Sequence, residues 1–156
     1  MRYVTLAECR QIVFPYIHSK LTVAEPAPDY EHEPSGLSNL DKVLGLVRTD
    51  YYPTIYDKAA YMVCSIAGSQ YYSNGNKRLA VVVLLEFLVK NEAEVRSLNH
   101  DQYAHLLSEV FPLHSWEDNQ QISDPHALLL YNLAITIGDA KRRGTKSFST
   151  LRQKVS

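Results

Sequence analysis

The chain has 156 residues and 17.8 kDa, 46% hydrophobic and 21% charged with a net charge of −1, enough to bury one domain core without staples. That balance excludes a disordered or low-complexity chain, and no apolar run reaches the roughly 18 residues of a membrane span. No signal peptide is recognisable, and Cys9 and Cys64, each among apolar neighbours, read as reduced core thiols; a cytoplasmic protein is the expectation.

In chain order, Thr5 is placed to cap a first helix carrying Leu6, Ile12 and Val13, and Pro15 disturbs its end. Residues 19–36 lose periodicity. Pro26, Pro28, Pro34 and Gly36 among several acids predict an exposed loop or one short β-hairpin near 20–35. Ser38 and Asp41 are spaced as a capping box before Val43, Leu44 and Val47. Pro53 ends one element and Thr54 caps the next, with Ile55, Ala59, Met62, Val63 and Ile66 at helical spacing. After a polar break from Gly68 to Gly75, Asn76 to Lys90 is the least interrupted apolar segment.

Asn99 or Asp101 opens a further helix through Leu106, Leu107 and Val110, and Ser123-Asp124-Pro125 opens another that runs to about Arg143. No period-2 run is longer than two or three residues. The expectation is an all-α domain over 1–143 followed by a basic tail over 144–156. Residues 141–156 hold six basic side chains and no acid, leaving ten bases against seventeen acids in 1–140. A basic end on an acidic body could meet nucleic acid, but without a motif the better reading is a solvated tail.

The polar break holds the chemistry. Ser69-Gln70-Tyr71-Tyr72-Ser73-Asn74-Gly75 leads into Asn76-Lys77-Arg78, and the residues after them are apolar on every side, the mark of a buried helix. Cations in a first turn oppose the helix dipole by roughly 0.3–1 kcal/mol each, a penalty best tolerated when an anion sits at the helix start. Free backbone N–H groups, a glycine allowing close approach, a point-charged Lys77 and a forked Arg78 suit a polyphosphate. The plain alternative is a tight Asn74-Gly75 turn with both cations reaching to solvent.

Ser73-Asn-Gly-Asn-Lys-Arg78, followed by an apolar helix ending Glu86-Phe87-Leu88, resembles the core loop of the Fic/Doc superfamily, closest to the Doc (death-on-curing) toxins. Gly36-Leu-Ser-Asn-Leu-Asp41, Tyr52 to Ala60 and the opening Met1 to Leu6 are also similar to Doc, so the resemblance covers about residues 1–95. It implies a Fic/Doc-type helical bundle around a central buried helix. It further implies a transferase that moves phosphate, or AMP, from ATP with Mg²⁺ to a hydroxyl on a bacterial protein. By the same resemblance Gly75, Asn76, Lys77 and Arg78 bind phosphates, Asn74 stands at the metal position, and a separate antitoxin protein restrains the toxin.

Gln70 occupies the position of the family's catalytic His. A carboxamide cannot take a proton near pH 7, so the chain is expected to be inactive as it stands, by a natural or a deliberate change. The alternative is a non-catalytic module that keeps the nucleotide or partner groove. The six histidines show no zinc-helix spacing, since His100 and His105 are five apart. The tyrosines at 51, 52, 56, 61, 71 and 72 read mostly as core, with one or two free to line a base pocket or partner groove. No glutamate has Ser or Thr four residues before it, so the family's self-inhibitory motif is absent.

Overall fold

A computed structural model describes residues 1–22, 26, 28–93, 98–142 and 154–155, and these residues fold as helices and connecting turns with no strand among them. The all-α expectation therefore holds. The hairpin expected near 20–35 does not form among its described residues: Tyr30–His32 is a single 3₁₀ turn, and 23–25 and 27 lie outside the description. Asp29 explains the turn, because its side chain accepts from Glu31 N at 3.2 Å and closes the backbone locally. The tail of 144–156 lies outside the described residues except at Lys154–Val155, where the Lys154 ammonium is 5.5 Å from the Phe111 ring centre.

The first helical run joins α1 (Leu6–Glu8), a π-segment (Cys9–Val13) and α2 (Phe14–Lys20). Thr5 and Glu8 close a capping box at its start. Pro15 has no N–H to give and its ring crowds the preceding turn, which widens so that Phe14 N bonds Cys9 O. Helix α3 (Pro34–Leu46) corrects the expected Ser38–Asp41 box. Pro34, with its fixed φ, begins the helix four residues earlier and leaves both residues inside it. Thr54, the cap expected from sequence, closes a box with Asp57 at α4 (Ile55–Ala67), and at α6 (His100–Val110) Asn99 rather than Asp101 is the cap, boxed with Gln102.

Helix α5 (Asn76–Lys90) is central and packs between α4 and α7 (Pro125–Arg142). Its Leu79, Ala80, Val81, Val82, Val83, Leu84 and Phe87 are buried on successive faces. Each fully buried aliphatic or aromatic side chain contributes roughly 1.5–3 kcal/mol, so α5 is the principal apolar anchor of the domain. Its far end is tied to the N-terminus: Lys90 donates to Tyr3 O at 3.0 Å and pairs with Glu8, while Asn91 exchanges hydrogen bonds with Arg2 at 2.7 Å. The lysine's hydrogen bond holds the Glu8 carboxyl below its ordinary pKa. Buried Lys58 donates to Val47 O and Thr49 O, covering carbonyls that the end of α3 leaves without helical partners.

Candidate functional site

The start of α5 meets the 69–75 loop, and each bond there has a local cause. Gly75 takes φ +74°, the left-handed conformation favoured by a residue without Cβ. The same position leaves room for Tyr30: a Cβ on Gly75 would lie 2.5 Å from the Tyr30 hydroxyl, which donates to Gly75 O at 3.0 Å. Tyr30 stacks on Phe14 and meets Tyr72 edge-on, each at 4.8 Å, so an aromatic pedestal underlies the turn. Burial pushes the Tyr30 phenol up to about 12, so it remains a donor at any ordinary pH.

Asn76 closes the loop from the other side. Its Oδ1 accepts from Tyr72 N at 3.1 Å and its Nδ2 donates to Tyr72 O at 2.9 Å, a two-way bond that fixes the last turn before the helix. Glu33, at the head of α3, accepts from Ser73 N at 3.0 Å and Ser73 Oγ at 3.1 Å. Tyr72 is 1% exposed and holds the loop to the core.

The first internal bond of α5 runs from Leu79 N to Gly75 O at 2.9 Å, and no side chain caps the helix. The N–H groups of Asn76 and Lys77 therefore have no acceptor among the described residues. They line a cavity of about 640 Å³ together with Gln70, Asn74 and Gly75, so the structure brings every site residue expected from sequence to one place. Gln70 and Asn74 are exposed on its wall.

The two cations divide their work. Arg78 donates to Leu21 O at 2.7 Å, Pro26 O at 3.3 Å and Asn74 Oδ1 at 3.4 Å, so its guanidinium holds the chain leaving α2 against the loop. The Lys77 ammonium has no hydrogen-bond or ion-pair partner among the described residues. Its stem lies against Gly138 of α7, where a Cβ would come 3.2 Å from Lys77 Cε. The cavity thus combines the N–H donors of Asn76 and Lys77 with one uncommitted ammonium, an arrangement that favours an anion.

The opposite wall comes from the C-terminal half, to which sequence reasoning gave no role. Tyr131, Ile135, Gly138 and Asp139 of α7, with Glu117 and Asn119 of the preceding loop, complete it. A lone glycine in an apolar helix, Gly138, is the one sequence signal of close approach there. Tyr131 is the tyrosine that lines the cavity; Tyr52 instead stacks on Tyr61 at 4.1 Å, away from it. Among the described residues no three His, Cys, Asp or Glu side chains group as a metal site. Asn74 offers an uncharged amide oxygen already turned to Arg78. No helix among the described residues is long and apolar enough to cross a membrane. No family model matches the chain, and no curated protein or solved structure matches it.

Proposed function

We propose that the chain is a Fic/Doc-type domain that takes the phosphates of ATP at the start of α5. The carrying observation is the uncapped helix start, with unpartnered Lys77 and the loop residue Gln70 on one cavity wall. The free N–H groups and Lys77 hold the phosphate oxygens, and Gly138 gives the lysine stem its place. Arg78 keeps the loop closed rather than lying open to the ligand. The ancestral chemistry of this reading is that of a Doc-type toxin, passing phosphate or AMP to a hydroxyl of a bacterial protein. Magnesium would enter with the triphosphate, and Asn74 Oδ1 is the loop atom able to join its shell, without charge.

Gln70 stands where that reading needs a proton acceptor, and its carboxamide has none to offer. The chain is therefore a binder with the transfer step silenced, a loss worth a factor of about 100 to 10,000. Restraint by an antitoxin chain belongs to the active form of the same reading. A purely non-catalytic module is the second reading, favoured by Gln70 itself.

Calorimetry with ATP and with inorganic tripolyphosphate tests the site. Lys77→Ala is expected to weaken both by about 1.5–3 kcal/mol, the range for hydrogen bonds to a charged group. Equal affinity in the two proteins would remove the phosphate assignment. Gln70→His is then expected to transfer label from ATP to a bacterial lysate protein; a His form that binds ATP but transfers nothing leaves the binding module standing.

A further inference from the structure

Residues between Leu21 and Gly36 hold the loop before α5 from outside the cavity, in descending register. Arg78 donates to Leu21 O and Pro26 O, and Tyr30 donates to Gly75 O. Glu33 accepts from Ser73, and the Tyr72 ring fills the space that Gly36 leaves, where a Cβ would lie 2.5 Å from it. As the chain advances toward Gly36 its partners step back from 78 to 72, so the two stretches run antiparallel.

Glu33 is the unusual member of that series. It stands at the head of α3, where a side chain ordinarily caps its own helix, yet it makes no capping bond there. Both carboxylate oxygens serve a residue 40 positions away: Oε1 accepts from Ser73 N at 3.0 Å and Oε2 from Ser73 Oγ at 3.1 Å. A two-point grip fixes direction as well as distance. The residue before Ser73 is Tyr72, whose N–H and carbonyl are held by the Asn76 side chain at 3.1 and 2.9 Å. One peptide unit and one side chain thus separate the grip from the first residue of α5, which lines the cavity.

This grip works against the charge of the site. Glu33 does not line the cavity but lies beside its loop, and Glu117 and Asp139 already bring two carboxylates to the wall. On charge alone an anion would be held better without Glu33. Charge and placement therefore predict effects of opposite sign.

We infer that Glu33 is a positioning residue for the anion site, acting through Ser73 and the Tyr72–Asn76 turn to keep the α5 N–H donors aimed into the cavity. The inference rests on the anion reading of the α5 start and adds to it a control point that no ligand needs to touch. Coupling of this kind is reciprocal, so a bound anion also tightens the grip.

Calorimetric titration of the full chain with inorganic tripolyphosphate, paired with hydrogen exchange at the Ser73 amide, tests it. Glu33→Ala is expected to weaken tripolyphosphate about tenfold although a negative charge has gone, and to speed Ser73 exchange. In the unaltered chain, tripolyphosphate is expected to slow that exchange. Glu33→Gln can still accept from Ser73 N and donate to Ser73 Oγ, so its affinity is expected within about threefold of the unaltered chain. Glu33→Asp keeps the charge but is one methylene short, and is expected to stay as weak as Glu33→Ala. If Glu33→Ala does not fold, the order of Gln above Asp decides. Tripolyphosphate that binds Glu33→Ala as tightly as the unaltered chain, or binds Asp more tightly than Gln, overturns the positioning role alone. An unaltered chain that binds no tripolyphosphate overturns the anion reading and this inference with it.

Discussion

Gly75 carries the turn that exposes the α5 start, and it does so in a conformation that other residues resist. At φ +74° a Cβ is strained by the backbone and also meets the Tyr30 hydroxyl at 2.5 Å and Pro28 Cδ at 2.9 Å. Gly75→Ala is therefore expected to destabilise the fold by about 2 kcal/mol or more, read by denaturant unfolding with an unchanged m-value. A change below about 0.5 kcal/mol would mean that the turn relaxes freely. The Asn74-Gly75 pair was legible in the sequence as a turn, and Lys77-Arg78 as a cationic helix start. Their division of labour was not. Arg78 serves Leu21 O, 57 residues away, because Leu21 sits at the C-cap of α2, where a carbonyl lacks a helical partner. No local spacing reveals such a contact.

Helices were legible where a side chain caps its own backbone. Thr5, Thr54 and Asn99 each close a box within three residues, so sequence and structure agree at the first two, and at the third the box selects Asn99 over Asp101. The start of α3 was misplaced because Pro34 and a plausible box four residues later compete, and proline's fixed φ prevails. The loop between α6 and α7 was silent, having no periodicity and no local cap; its order comes from buried Asn132 and from the His100 clasp. That clasp is pH-dependent. Hydrogen bonds to Asp118 and then Asp101 hold His100 protonated above its ordinary 6.5, and the His100 bond, then that of Trp116, holds Asp118 below its ordinary 3.8. The His100 contribution is full below 6.5 and fades as pH rises through its raised folded value. The Asp118 contribution is present above 3.8 and fades as pH falls through its lowered one. An NMR titration is expected to show His100 above 6.5 and returning toward it in Asp118→Asn, with faster amide exchange at 114–119. An unmoved His100 titration would dismiss the clasp.

At the scale of the molecule, one helix serves both core and site, so the two are linked. Leu79 is fully buried, and its N–H makes the first α5 bond to Gly75 O. Truncating it opens space between α5 and its neighbours directly beneath the loop, and Leu79→Ala is expected to lower stability by about 2–5 kcal/mol. A ligand that binds only the folded chain returns part of that loss, about 2.7 kcal/mol at a hundredfold excess over Kd. Thermal unfolding in tripolyphosphate separates the two roles. The unaltered chain and Leu79→Ala are expected to gain stability by similar amounts, because the N–H donors and Lys77 remain, whereas Lys77→Ala is expected to gain little. A Leu79→Ala protein that keeps its stability within about 1 kcal/mol would remove α5 from the centre of the fold. One that unfolds as expected but no longer responds to the anion would show that the α5 start depends on the packing below it, and that the site is shaped by the core rather than by its own turn.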